Sequence, residues 1–175
     1  RELGDIDLLV NNAGVEYSCA YHELTPAQIE DVIEVNLTAS MMLTHLVLPE
    51  MPRRRSGHIV SMSSLAGKSG PAFQEPYAAT KAALTAFTYS LRATYRSTGV
   101  SASVITPGFV EAGIYARLKD RTHCSAPPLL SPVHPDRVAR ALVRAIRKDR
   151  PEILVSRYPV QRSEEHTSEL QSRQS

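Results

Sequence analysis

The sequence predicts an α/β fold in which parallel strands alternate with helices. Short apolar runs that end in turn residues alternate along the chain with longer amphipathic segments, which is typical of parallel βαβ units. The chain has 175 residues, of which 42% are hydrophobic, and this is enough to form the core of one globular domain. We therefore expect one domain with strands and helices in strict alternation.

The first βα unit is predicted from a short apolar run and a helix start signal. A strand over residues 6–10 closes on the turn Asn11-Asn12-Ala13-Gly14. Thr25 as N-cap and Pro26 at the first helical position then begin a helix that is expected to continue to about Met51.

The middle of the chain repeats this pattern. A second strand is predicted over residues 58–63, followed by a loop over residues 67–76. A helix rich in Ala, Leu and Phe is predicted from Tyr77 to about Thr98, and a third strand covers residues 100–105. Thr106-Pro107-Gly108 ends that strand.

Residues 109–133 are irregular and contain several prolines, and we interpret this stretch as a substrate lid. His134-Pro135 then begins an amphipathic helix with a basic outer face, and residues 152–156 supply a last strand. Side chains of the lid that hint at an apolar substrate pocket are Tyr115, Leu118, Leu129 and Leu130.

The most informative chemical feature is a tyrosine, a lysine and a serine. Tyr77 and Lys81 are four residues apart on one helix face, and Ser64 lies thirteen residues before Tyr77 at a strand end. A nearby ammonium is expected to lower a phenol pKa from about 10, which would let Tyr77 exchange a proton with a carbonyl oxygen. Tyr115 and Lys119 share the spacing but lack an upstream serine. The trio predicts a redox enzyme.

Composition narrows the possible partners. The net charge of +2 is spread over both signs, so nothing indicates nucleic acid, and no apolar run approaches the roughly 20 residues of a membrane span. Cys19 and Cys124 are far apart, and the six histidines lack metal-ligand spacing, so neither a disulfide nor a metal site is predicted. We expect a cytoplasmic protein that acts on a small molecule.

The motifs together resemble the classical short-chain dehydrogenase/reductase family over residues 5 to about 157. In chain order they are Asn11-Asn12-Ala13-Gly14, Asn36, Ser64, Tyr77 with Lys81, and Pro107-Gly108. The resemblance implies a Rossmann-like doubly wound parallel sheet. It also implies a cofactor, NAD or NADP, and hydride transfer between a secondary alcohol and a ketone.

The resemblance implies a role for each residue of the trio. Tyr77 would be the general acid/base, and Lys81 would lower its pKa and bind the ribose hydroxyls of the cofactor. Ser64 would donate a hydrogen bond to the substrate oxygen. Ser61 and Ser63 are nearby rivals, but the thirteen-residue offset favours Ser64.

Further roles follow from the same resemblance. Asn36 would hold a water in a proton relay that leads from Lys81 to solvent. The turn of Asn12, Ala13 and Gly14 would lie against the adenosine ribose of the cofactor.

On the nicotinamide side, the resemblance implies contacts from Pro107, Gly108 and Val110. Ala112 stands where the family commonly has a threonine, which puts one contact to the carboxamide in doubt. The family also implies a homo-oligomer built partly through the long helices.

Both ends of the chain carry expectations of their own. The eight glycines form no phosphate-binding cluster and the chain begins at Arg1, so we expect the first strands and the glycine-rich loop to precede this sequence. Residues 1–161 would then be part of an oxidoreductase domain that is inactive alone. Residues 162–175 are polar and resemble a translated sequencing adapter, so we expect a disordered tail.

Two alternative hypotheses remain open. The chain could be a Rossmann-like nucleotide-binding protein that does not catalyse a reaction, although such a protein has no need of the complete trio. It could also be an inactive truncated fragment.

Overall fold

A four-stranded parallel sheet organises the part of the chain that the computed structural model describes, residues 4–115 and 131–156. The strands lie in chain order, and each pairs in parallel with the next. Because parallel neighbours need a crossover, each connection passes over a face of the sheet. The strands are β1 (Leu8–Asn11), β2 (Gly57–Met62), β3 (Val100–Pro107) and β4 (Glu152–Val155).

Helices cover both faces of this sheet, as a doubly wound fold requires. Alternate residues of β2 point to opposite faces, so Val60 joins the cluster on one side and Ile59 joins the cluster on the other. The helices are α1 (Pro26–Ile33), α2 (Ala39–Val47), α3 (Glu50–Arg54), α4 (Ala66–Ser69), α5 (Glu75–Thr94) and α6 (Pro135–Arg147).

Two apolar clusters form the core. The first packs α6 on the sheet through Ala141 and Ala145, which lie against Ile105 and Ile153. The second packs α2, α3 and α5 on the opposite face and is centred on Met51, which is fully buried. The α/β fold with its doubly wound parallel sheet is confirmed.

The helix predicted from Pro26 to about Met51 is not continuous. It consists of α1, a π-helical segment (Glu34–Thr38), α2 and α3. The capping box of Thr25 and Gln28 begins α1 as expected. The π turn was not predicted, because no local residue pattern distinguishes a single π turn from a turn of α-helix.

Two further boundaries differ from the prediction. The expected loop over residues 67–76 contains the short helix α4, and α5 begins at Glu75 because Pro76 suits a first helical turn. The same helix ends at Thr94, four residues early, and Ser97 just beyond it adopts a left-handed φ of 70°.

Within residues 4–115 and 131–156, no helix is both long enough and apolar enough to cross a bilayer.

Candidate active site

The candidate site lies beyond the carboxyl ends of β2 and β3, where ligands bind in open α/β sheets. Ser64 follows β2, and Pro107 ends β3. The two strand ends are joined by a hydrogen bond of 2.8 Å from the Leu65 amide to the Pro107 carbonyl oxygen. The sequence therefore delivers the predicted serine and the Pro-Gly motif to the same edge of the sheet.

The serines near this edge have different partners. Ser61 and Ser63 are buried, and both bind helix α5: the Ser61 hydroxyl accepts from Thr88 at 2.7 Å, and the Ser63 hydroxyl donates to the Lys81 carbonyl at 2.9 Å. The Ser64 hydroxyl instead accepts from the Ala66 amide at 3.1 Å and interacts with the Tyr77 phenol. This geometry favours Ser64 over its two rivals.

Tyr77 and Lys81 occupy the first turns of α5 and lie together. The Lys81 Nζ is 5.6 Å from the centre of the Tyr77 ring, and only 3% of Lys81 is exposed. This ammonium donates to the Met62 carbonyl oxygen at 3.0 Å, and no ion pair to Lys81 occurs among the described residues. Burial of an ammonium with a single backbone acceptor costs free energy unless a ligand accepts hydrogen bonds from its other N–H donors.

The electrostatics of the pair differ from the sequence prediction. Burial lowers the pKa of Lys81 to about 8. The pKa of Tyr77 is raised, first by burial and then by the charge of Glu16, while the Ser64 hydroxyl acts in the opposite direction. The predicted lowering of the phenol pKa is therefore not met in the protein alone, because burial withdraws the phenolate from water and is the largest of these effects.

Asn36 is fully buried within the π-helical segment and is held by side-chain hydrogen bonds. Its Oδ1 accepts from the Val15 amide at 2.8 Å, and its Nδ2 donates to the Val15 carbonyl at 2.9 Å and to the Thr80 hydroxyl at 3.2 Å. The side chain thus ties the irregular segment after Gly14 to helix α5. The predicted water relay at Asn36 stays a prediction.

Gly14 lies directly against the two predicted site residues. A β-carbon placed at Gly14 would be 3.3 Å from the Asn36 Oδ1 and 3.4 Å from the Lys81 Nζ. The sequence predicted that Gly14 allows the cofactor to approach closely. Among the described residues, the side chains that a β-carbon at Gly14 would crowd are those of Asn36 and Lys81.

The remaining predicted residues have varied positions. Asn12 and Ala13 are exposed next to Gly14, and Gly108 packs against the Leu65 side chain, where an added β-carbon would be 3.2 Å from Cδ1. Val110 forms an isolated parallel bridge with Val133. Their contacts to a cofactor stay predictions.

Part of the predicted lid lies outside the described residues, including Leu118, Lys119, Leu129 and Leu130. Tyr115, which is described, packs on Phe109 with ring centres 5.0 Å apart. The choice of Tyr77 over Tyr115 as the chemically active tyrosine stays a prediction.

Two residues near the site were missed at the level of sequence. Thr80 donates to the Tyr77 carbonyl at 2.8 Å and accepts from Asn36, which couples two predicted residues. A threonine three positions after Tyr77 could have signalled such a backbone bond. Glu16 acts on Tyr77 through its charge, and no local pattern indicates that long-range effect.

Among residues 4–115 and 131–156, no group of three or more His, Cys, Asp or Glu side chains could hold a metal ion.

The parallel sheet with helices on both faces defines the class as a Rossmann-like α/β protein. A family model described as short chain dehydrogenase matches residues 1–122. The chain therefore belongs to the short-chain dehydrogenase family, a family of oxidoreductases. A solved structure titled short chain dehydrogenase/reductase family protein shares the fold, with a TM-score of 0.78 and 24% identity over 88% of this chain and 67% of that one.

Curated relatives agree with this assignment. The ketoacyl reductase HetN of Nostoc sp. is 40% identical over 161 residues, which is 92% of this chain and 55% of that protein. The 3-oxoacyl-[acyl-carrier-protein] reductase FabG of Salmonella typhimurium is 36% identical over 119 residues, which is 68% of this chain and 49% of that protein. The chain thus spans about half the length of these relatives.

Proposed function

We propose that the whole protein is an NAD- or NADP-dependent oxidoreductase that interconverts a secondary alcohol and a ketone, with Tyr77 as general acid/base. The observation that carries this proposal is the buried Lys81 ammonium beside Tyr77, with the Ser64 hydroxyl facing the same phenol. The reductase names of the two curated relatives support the same reaction class.

The residues present fit a nicotinamide cofactor. An ammonium has three donors, and the described residues supply Lys81 with one acceptor, the Met62 carbonyl. The two other donors suit the neighbouring hydroxyls of a ribose.

The other predicted cofactor contacts lie on either side of Lys81 in the sequence. The nicotinamide would be bordered by Pro107, Gly108 and Val110, and the adenosine ribose by Asn12, Ala13 and Gly14. The cofactor supplies or accepts the hydride.

The protein's own residues handle the proton and the developing charge. During reduction, the Tyr77 phenol donates its proton to the carbonyl oxygen, and the Ser64 hydroxyl donates a hydrogen bond to that same oxygen. Lys81 would hold the ribose hydroxyls of the cofactor, and its ammonium places positive charge beside the phenol. Asn36 holds Val15 and Thr80 in place, so that the segment after Gly14 stays packed against Lys81.

The electrostatics support the reduction direction. The raised pKa of Tyr77 keeps the phenol protonated at neutral pH, and the protonated form is the one that donates. Alcohol oxidation needs the phenolate, so it should require a more alkaline pH. The substrate is thus proposed as a ketone of unassigned identity.

Substitution of Tyr77 by phenylalanine in the full-length protein tests the proposal. Tyr77→Phe should abolish ketone reduction while cofactor binding, measured by nicotinamide fluorescence titration, stays within a few fold. Tyr21→Phe, which changes an exposed tyrosine, is the matched control and should retain turnover. Full activity of Tyr77→Phe would refute the proposed role, and a wild-type protein that binds cofactor without any turnover would favour the non-catalytic alternative.

We also propose a homo-oligomer that forms partly through α2. Met42 and Leu46 lie one turn apart on this helix and are 55% and 70% exposed. Neighbouring large apolar side chains with this exposure indicate a surface that another protein chain covers. A cytoplasmic location is proposed from the cysteine usage, since the chain has only two cysteines and Cys19 forms no disulfide within residues 4–115 and 131–156.

A further inference from the structure

Glu16 is an acidic side chain at the edge of the candidate site. It belongs to the segment between Gly14, which lies against Lys81, and Ser18. Val15 is fixed to Asn36 by two hydrogen bonds of 2.8 and 2.9 Å. The position of Glu16 is therefore set by the same contacts that hold the segment to the site.

A second anchor acts on the other side of Glu16. The Ser18 hydroxyl donates to the Glu16 carboxylate, and the Gln74 side-chain amide reaches the Ser18 oxygen at 3.5 Å. Gln74 immediately precedes helix α5, three residues before Tyr77, and its carbonyl oxygen accepts from the Ala78 amide at 2.7 Å. Glu16 is thus bridged to the first turn of the helix that carries Tyr77.

We infer that Glu16 is a specificity-determining residue, whose carboxylate disfavours substrates with a negative charge next to the reacting carbonyl and makes the site selective for neutral or cationic ketones. This inference rests on the proposed function. It goes beyond the proposed function because it assigns a charge class to the substrate and a residue that selects it.

The charges around the phenol support this inference. The contacts through Ser18 and Gln74 hold the Glu16 carboxylate beside the start of α5, and its charge raises the pKa of Tyr77, after the larger effects of burial and of the Ser64 hydroxyl. The Lys81 ammonium also lies against the Tyr77 ring, with its Nζ 5.6 Å from the ring centre. An anionic group of a substrate on the Glu16 side of the phenol would face this carboxylate, and like charges in a partly buried site repel each other.

The test compares two substrates of matched shape in the full-length protein. A panel of 3-oxoacids and their methyl esters is reduced by wild type and by Glu16→Gln, and kcat/KM is measured for each. In wild type the ester should be preferred, and Glu16→Gln should reduce the ester-to-acid ratio by on the order of tenfold. Glu16→Asp should restore the preference, and Glu23→Gln, which changes an exposed carboxylate, should leave it unchanged.

Two further measurements separate charge from structural damage. Raising the salt concentration from 0.01 M to 1 M should reduce the ester-to-acid ratio in wild type, since salt screens the carboxylate. In Glu16→Gln the alkaline limb of kcat for ester reduction should move to lower pH, because the phenol loses the negative neighbour that raises its pKa.

The outcomes distinguish this inference from the proposed function. If wild type reduces the esters but the ratio is insensitive to both Glu16→Gln and salt, the inference is wrong and the proposed function stands. If wild type reduces neither member of any pair, the proposed function fails, and the inference fails with it.

Discussion

Gly67 of α4 packs against the backbone of Lys81 in α5. A β-carbon at Gly67 would lie 2.8 Å from the Lys81 carbonyl carbon and 2.7 Å from the Ala82 amide nitrogen, closer than real β-carbons approach backbone. The absence of a side chain at Gly67 therefore sets the distance between the Ser64 loop and the helix that carries Tyr77 and Lys81.

The first prediction concerns this contact. Gly67→Ala should destabilise the full-length protein by about 1–3 kcal/mol, because backbone atoms must move apart to admit the methyl group. It should also reduce kcat, since the separation of Ser64 and Tyr77 changes. Urea unfolding and steady-state kinetics measure the two effects. Ser69→Ala, at an exposed position of the same helix, is the control and should change stability by less than about 0.5 kcal/mol.

Substitutions of the neighbouring residues Ser63 and Ser64 should have different effects on kcat and on stability. Ser64→Ala should reduce kcat by roughly 10²- to 10³-fold with little change in melting temperature, because it removes a donor to the substrate oxygen. Ser63→Ala should do the opposite: it removes the buried bonds to Lys81 and Thr85 and should cost about 1–2 kcal/mol of stability. Equal losses of kcat in both variants would contradict the assignment of Ser64.

The burial of the Lys81 ammonium should make the free energy of unfolding depend on pH. Its pKa is about 8 in the folded protein and 10.5 in the reference state, so between these values the unfolded chain binds more protons and stability rises with pH. The free energy of unfolding of wild type, relative to Lys81→Met, should increase by on the order of 3 kcal/mol from pH 7 to pH 10.5.

Urea titrations at several pH values measure this rise. Lys68→Met, which replaces a lysine whose side chain is 41% exposed, is the matched control and should retain the rise. A constant difference between wild type and Lys81→Met across this pH range would show that the ammonium is not buried as described.

The apolar surface of α2 should govern assembly. Leu46→Glu places a charge on the most exposed large apolar side chain of that helix and should dissociate the proposed oligomer, because a charge cannot be buried unpaired at low cost. Light scattering after size-exclusion chromatography measures the mass. Val143→Glu, which alters an exposed valine of α6, is the control, and loss of assembly in that variant alone would place the interface elsewhere.

Much of the fold was predictable from local pattern. The four strands occur near their expected positions, and the Thr25 cap with Pro26 begins α1 as predicted. The predicted boundaries of α5 were wrong, and α4 was not predicted. Helix ends depend on contacts that are distant in sequence, such as that between Gly67 and Lys81. The π-helical segment at Asn36 was missed because no local residue pattern distinguishes it from α-helix.

The sequence by itself determined the family, the order of strands and helices, and the identity of the candidate trio, because turn residues, caps and residue types are local properties. Only the tertiary structure decided how these residues behave. It separated Ser64 from Ser61 and Ser63, placed Glu16 within range of Tyr77, and raised the pKa of that phenol where the sequence predicted a lower one. The physical reason is burial: access to water and long-range charge depend on packing, which no local pattern specifies.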